Sequence, residues 1–392
     1  MKILLLSYYY PPDIGPGANR ALALTEALRK KFGTKLHLDI LTTIPNRYSS
    51  YKIDAAEIEK YGTIYIKRLL VFRNVYEQLK YPLDFLIFYF KSLNYVKRKK
   101  YHLIIASSGR LMTAFLAAKI SQKYKIPLYL DIRDLFVENL NQIFKNKVQK
   151  IFLPFARKIE SYTINTAKHI NVVSEGFFTY AKKNWSSKKI SCYTNGVDEL
   201  FKNKNVPRKT MDQYPTILYV GNIGHGQALH EIIPRAAKLL ENRARFLIIG
   251  DGSLKNKLED MLQQLNVSNV ELMPIVARNN LKQYYSIADI LFLNLNVFNS
   301  LRTVIPSKIF EYASTGKPIL AGVSGYAKNF IHNNIKGCQI FEPCNSILFE
   351  KAFNTISKGP TSYNRDIFNE QYSQAKMMNL YVREIHKTYK KN

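Results

Sequence analysis

The sequence predicts an α/β chain of two doubly wound, Rossmann-like domains, and three observations carry that prediction. Short apolar runs alternate with longer helical patterns along most of the chain. The series breaks once, at a basic and polar stretch that holds Pro207. Several runs end in glycine-rich loops, which is where parallel sheets take up ligands. At 392 residues the chain is too long for one ordinary core, whereas two domains of roughly 150–200 residues each fit it.

In the first half the runs are Ile3–Leu6, Leu38–Leu41, Ile64–Arg68, Leu103–Ala106, Leu128–Asp131 and Ile170–Val173. They are mostly continuous stretches of apolar residues, as strands buried on both faces require. The second series is Ile217–Val220, Phe246–Ile249, Val270–Met273, Ile290–Leu293 and Ile319–Ala321. Residues 202–214 form the expected linker, so the expected division is 1–203, 204–370 and a tail, 371–392. The tail reads as one amphipathic helix packing back toward the first domain. A cleft is expected between the two domains.

The first run, within MKILLLSYYYPP, is short, ends in aromatics and proline and lacks a small-residue cleavage site. It is a buried strand rather than a signal peptide. Nothing later supplies about 18 uninterrupted apolar residues, so no spanning helix is expected. Cys192, Cys338 and Cys344 have no metal-ligand spacing and are too few for a disulfide framework. A reducing cytoplasm is the expected compartment.

Charge points to the partner. There are 58 Lys and Arg against 29 Asp and Glu, a formal +29, which favours an anion. Residues 61–160 alone hold 19 basic against six acidic side chains. There Phe85, Leu86, Phe88, Tyr89 and Phe90 precede Lys97-Arg98-Lys99-Lys100, and a second basic, apolar stretch runs from Ile143 to Lys158. Such stretches suit an anionic bilayer surface, at about 1 kcal/mol per basic side chain; a core helix with solvated lysines is the competing reading. A basic membrane- or nucleic-acid-binding protein without catalysis is an alternative of another class. No nucleic-acid module is visible, so no nucleic-acid partner is expected.

The loops after the strands carry the candidate site. Gly15 and Gly17 lie between the first strand and a helix, where a bare backbone can approach a negative oxygen. Asn19 and Arg20 follow them and are expected on the acceptor side. Gly221, Asn222, Gly224, His225 and Gly226 repeat that order after the strand Ile217–Val220, and Gly250 ends the next strand. Asp131, Arg133 and Asp134 follow another strand and are placed to orient a hydroxyl or hold a charge, or else form a structural ion pair. In PSKIFEYASTGKPIL, Pro306 and Ser307 open and cap a helix that carries Lys308 and, one turn on, Glu311. A phosphate at that helix start would lie beside an acid able to grip a ribose. No glycosidase carboxylate pair, Ser-His-Asp elbow, Walker lysine loop or metal cluster is visible. The chemistry is therefore positional and electrostatic, on a substrate already activated by a phosphate leaving group.

Together, PPDIGPGANR, TNGVD, LYVGNIG, LIIGDG, Leu281 to Asp289 and PSKIFEYASTGKPI resemble glycosyltransferase family 4, the retaining GT-B enzymes. The forms GNIGHGQ and DIRDLF are similar to the O-antigen and capsule subgroup that includes N-acetyl-fucosaminyl transferases. The resemblance implies transfer with retention and without a metal or other cofactor. It implies a UDP-sugar donor on the second domain and an undecaprenyl-diphosphate-linked acceptor on the first, at the inner face of the cytoplasmic membrane. Glu311 matches the ribose-binding acid of the family's E-x7-E motif, while Thr303 stands where the sugar-facing acid would be. Asn222 stands where the family has a diphosphate-binding arginine, and Arg302, Lys308 and the helix start at Ser307 are the expected replacements. Ser107 or Ser108 lies where many members carry a histidine. Asp131, Arg133 and Asp134 are then the residues expected to face the reacting sugar. A sugar-nucleotide 2-epimerase of the same fold is the alternative enzyme.

Overall fold

The computed structural model describes residues 1–48, 50–51, 53–71, 77–143, 151–202 and 213–390. The chain forms two units, 1–194 with 377–392, and 195–376. The first division thus falls before the expected boundary at 203, and the second after the one at 370. Most of the expected linker lies outside the described residues, as does part of the stretch 143–158.

The first unit is built on an eight-stranded sheet in the order β3-β4-β2-β1-β5-β6-β7-β8. Its strands are β1 Lys2–Ser7, β2 His37–Thr43, β3 Ile58–Tyr61, β4 Ile64–Leu69, β5 Leu103–Ser108, β6 Leu128–Ile132, β7 His169–Val172 and β8 Ile190–Cys192. Only β3 runs antiparallel to its neighbour. Ile3, Leu5, Leu38, Ile40, Leu103 and Ile105 face one side and meet Ala21, Leu24 and Leu28 of the helix Pro16–Phe32. Met378, Tyr381, Val382 and Ile385 of the helix Gln374–Lys390 complete that layer. The tail is not one helix from 371. It breaks at Tyr372 and Ser373, where the backbones of Val197, Tyr372 and Gln374 exchange hydrogen bonds of 2.7 and 2.9 Å. A side chain on Gly196 would lie 2.6 Å from Gln374 Cα, so the Asn-Gly of TNGVD permits this close crossing.

The second unit has a six-stranded parallel sheet, β11-β10-β9-β12-β13-β14. These are β9 Thr216–Asn222, β10 Arg245–Asp251, β11 Val270–Met273, β12 Ile290–Asn294, β13 Ile319–Gly322 and β14 Cys338–Phe341. Alternate residues divide between two cores: Leu218, Val220, Leu247 and Leu291 on one face, and Ile217, Tyr219, Phe246 and Phe292 on the other. That period of two on both faces is why the strands are apolar throughout. The strands absent from the sequence prediction, β3, β8 and β14, are all edge strands, half-exposed and lacking an apolar run.

Candidate functional site

The second unit concentrates its glycines at the carboxyl ends of β9 and β10. Gly221 has φ of 144°, and a Cβ there would collide with the Lys308 ammonium. Any larger residue at 221 would therefore strain the backbone and push the ammonium aside. Lys308 Nζ also lies 5.3 Å from the centre of the Tyr219 ring, whose hydroxyl donates to Asn222 O at 2.6 Å. A side chain on Gly250 would strike the Gly221 carbonyl. The two loops are thus stacked backbone against backbone beneath one fixed cation.

Asn222 turns its amide back to Gln227 Oε1, at 2.9 Å, across Gly224. Asn294 and Asn296, at the end of β12, hold the same loop by donating to the carbonyls of Gln227 and His225, each at 2.8 Å. His225 itself is exposed. One further expectation is corrected. Ser307 does not cap: the helix runs Lys308–Ser314, and Ser307 has helical backbone angles with no side-chain cap bond. Arg302 is exposed and its backbone packs on Gly325. Thr303 Oγ1 donates to Ser300 O at 2.8 Å.

Glu311 is mostly buried and held from two sides. Tyr285 donates its hydroxyl to Oε1, and Arg278 Nη1 lies 3.7 Å from Oε2. Arg278 also pairs with Asp198 at 2.7 Å and stacks 4.7 Å from the Phe201 ring. Burial, then the Glu311 charge, push the Tyr285 hydroxyl well above its ordinary range, so it stays a donor. The acid is oriented by a protonated phenol and a guanidinium and keeps partial access to solvent.

The first unit sorts its candidates differently. Arg20 donates to both oxygens of Asp131, at 2.8 and 2.9 Å, and to the carbonyls of Thr194 and Tyr193, at 2.9 and 2.8 Å. Asn171 adds 2.8 Å to Asp131, and neither partner is more than 2% exposed. Asp131 was expected at the reacting sugar and Arg20, with Asn19, on the acceptor side; for Asp131 and Arg20 both places are corrected, since each satisfies the other inside the core. The alternation that would have aligned Asp131 with Arg133 fails because β6 stops at Ile132. Arg133 instead lays its guanidinium across Gly17 and Gly109, where a Cβ on either would strike it. Asp134, beside Arg133 and Arg47, is pushed up to about 6, chiefly by burial. Asn19 is half-buried in the first turn of its helix, with its N–H on Gly15 O at 3.1 Å. Ser107 lies 3.5 Å from Asp131, and Ser108 caps the turn to Arg110 at 2.8 Å.

Asp13 gives a testable consequence of this crowding. Its Oδ1 accepts from Arg47 N at 3.2 Å, but Oδ2 is buried with no hydrogen-bond partner among the described residues, and burial lifts the carboxyl from 3.8 to about 6. The folded protein therefore holds a proton here between those values that the unfolded chain has lost. That stabilisation is complete below the unfolded value and gone once pH exceeds the folded one. Asp13→Asn, neutral throughout, is expected to be more stable than wild type at pH 7.5, by on the order of 2 kcal/mol, with the gain vanishing near pH 4. Urea unfolding followed by the fluorescence of Trp185, the only tryptophan and 3% exposed, reads this unit selectively.

The aromatic stretch before Lys97 divides between core and surface. On the helix Glu77–Val96, Phe85 and Phe88 are buried, whereas Leu83, Leu86 and Phe90 are 40%, 48% and 64% exposed. Ile151, Phe152 and Phe155 are exposed on or just before the helix Phe152–Thr166. Among the described residues no helix is long and apolar enough to cross a membrane.

Sequence reasoning missed Arg278, Tyr285, Arg47 and Arg110. Three of these four follow strands, at the ends of β11, β2 and β5, so the rule that ligands gather at strand carboxyl ends would have found them. Tyr285 left no such signal.

Residues 201–373 match the family model described as glycosyl transferases group 1. The chain is 29% identical over 132 residues to the putative colanic acid biosynthesis glycosyl transferase WcaI of Escherichia coli K12, covering 34% of this chain and 31% of WcaI. It thus spans about a third of the curated relatives it matches. Sucrose-phosphate synthase of Thermosynechococcus elongatus has the same fold, with TM-score 0.76 and 16% identity over 98% of both chains. Anabaena HepE, solved with UDP and glucose, superposes with TM-score 0.70 at 15% identity over 99% of both. The fold of the chain is GT-B, and residues 201–373 of it match the group 1 glycosyl transferases.

Proposed function

We propose that the protein is a retaining glycosyltransferase that moves a sugar from a UDP-sugar to a lipid-linked oligosaccharide in cell-surface polysaccharide biosynthesis. The observation that carries this is the Lys308 ammonium seated on Gly221, one helical turn before Glu311, in a unit that matches the group 1 family model. The cation suits a diphosphate, and the oriented carboxylate suits a ribose diol. The group 1 match supports sugar transfer, the WcaI match supports a polysaccharide pathway, and the UDP complex of HepE supports a UDP-linked donor. Thr303 in place of an acid favours an N-acetylated or deoxy hexose of N-acetyl-fucosamine type, in an O-antigen or capsule setting. No metal or cofactor is required in this reading.

Arg133 and Asp134 of the first unit are assigned to the reacting sugar, Gly15 and Gly17 to the loop that approaches the donor phosphate, and Asn19 to the acceptor side. The exposed Leu83, Leu86 and Phe90, together with Lys97, Arg98 and Lys100, suit peripheral attachment to an anionic membrane at its cytoplasmic face.

Purified full-length protein, given a panel of nucleotide sugars and an undecaprenyl-diphosphate-linked acceptor, is expected to release UDP and extend the acceptor with retained anomeric configuration. Glu311→Ala is expected to fold and to transfer at least about 100-fold more slowly, the loss of roughly 3 kcal/mol of charged hydrogen bonding. Full activity in that variant would sink the donor-site assignment. Free epimerised nucleotide sugar formed without acceptor would replace transfer by epimerisation.

A further inference from the structure

We propose that Asp198 is a positioning residue for the Glu311 carboxylate: it holds Arg278 back and so keeps Glu311 Oε2 open to a diol on the ligand. The proposal rests on the donor reading above, because that diol is the ribose of a nucleoside diphosphate.

Asp198 is the last residue of TNGVD, and both of its carboxylate oxygens are engaged. Oδ1 accepts from Leu200 N at 2.9 Å and so caps the short turn Glu199–Phe201. Oδ2 accepts from Arg278 Nη2 at 2.7 Å. The cap fixes the direction in which the second oxygen points. The same turn brings Phe201, 4% exposed, against the guanidinium, with its ring centre 4.7 Å from Arg278 Cζ. One turn thus supplies the acid that draws Arg278 and the ring on which it rests.

The other side of Glu311 is locked by aromatic packing. Oε1 accepts from the Tyr285 hydroxyl. The Tyr285 ring stands edge-on to Phe201, 5.4 Å between centres, and 6.0 Å from Tyr312. Tyr312, the residue after Glu311, accepts from Val220 N at 3.1 Å. β9 pairs with β12 over Ile217 and Leu218, and beyond that pairing the Val220 N–H turns to this hydroxyl. The helix that carries Glu311 is thereby tied to the strand that leads into Gly221.

One oxygen of Glu311 remains. Arg278 Nη1 stands 3.7 Å from Oε2, near enough to share charge and too far to donate a hydrogen bond. Arginine and carboxylate left to themselves close to a two-pronged pair at about 2.8 Å. Such a pair would fill the lone pairs that a ligand hydroxyl needs. The guanidinium lies between two carboxylates and gives its hydrogen bond to Asp198, while the Glu311 side chain keeps 20% exposure. Removing the Asp198 charge leaves Glu311 as the acid on which Arg278 closes.

The test compares UDP with 2′,3′-dideoxyuridine diphosphate, which lacks the diol, by calorimetric titration of full-length protein, with circular dichroism to verify folding. Wild type is expected to prefer UDP by at least about tenfold, the worth of a hydrogen bond to a charged group. Asp198→Asn and Asp198→Ser both keep a capping oxygen and lose the charge. Each is expected to bind the dideoxy ligand within about twofold of wild type and to prefer UDP by no more than about threefold. Adding Arg278→Met to Asp198→Asn removes the group that closes on Oε2, so the preference is expected to return to about tenfold. A purely structural role for Asp198 would weaken both ligands alike and would not be rescued by the second substitution. Either result, or a full preference for UDP in both single variants, would overturn the proposal and leave the donor reading standing. A wild type that binds the two ligands equally would overturn the ribose assignment of Glu311 and this proposal with it.

Discussion

Replacing Asp131 by alanine is expected to destabilise the first unit by about 3–5 kcal/mol, because it leaves a buried guanidinium without its counter-charge. Arg20 is 2% exposed and directs two of its donors at Asp131. Its other two bonds, to the Thr194 and Tyr193 carbonyls, cannot balance a full charge. The pair also ties three parts of the unit together, since Arg20 lies 5.4 Å from the Tyr381 ring of the C-terminal helix. Removing both charges with Arg20→Met and Asp131→Ala together is expected to recover much of the loss, as replacement of a whole buried pair often does. Trp185 fluorescence during urea unfolding measures both variants. A loss below about 1 kcal/mol for Asp131→Ala would contradict the structural role, and intact stability with abolished transfer would return Asp131 to the reacting centre.

The second large effect belongs to Lys308. Lys308→Met keeps the aliphatic stem over Tyr219 and removes only the ammonium, so donor affinity is expected to fall roughly 10- to 100-fold, the worth of one charged hydrogen bond of about 1.5–3 kcal/mol. Lys308→Arg is expected to do nearly as badly, because a guanidinium is wider than the space above Gly221. The expected falls should shrink as salt rises, since the contact is electrostatic and partly exposed.

The parts of this molecule legible in the sequence were those with a backbone reason. Both-face burial made the central strands of each sheet continuous apolar runs, so those strands were visible, while edge strands such as Ile58–Tyr61 were not. Gly221 and Gly250 announced themselves because only glycine permits their stacking. What the sequence could not supply was side-chain direction over long separations. Asp131 and Arg133 differ by two positions, yet one turns to Arg20 in the core and the other to Gly17, because the strand ends between them. Tyr285 reaches Glu311 from a different helix, a contact set by packing alone. Ser307 carried a capping residue's chemistry but received helical angles, so its cap never formed.

The central claim is that the second unit holds a nucleoside diphosphate between Lys308 and Glu311. Its most direct test is calorimetric titration of UDP into the full-length wild type, Lys308→Met and Glu311→Gln at one fixed salt concentration, with circular dichroism to verify folding. Wild type is expected to bind, and each folded variant to bind at least tenfold more weakly. Equal affinity in all three proteins would contradict the claim.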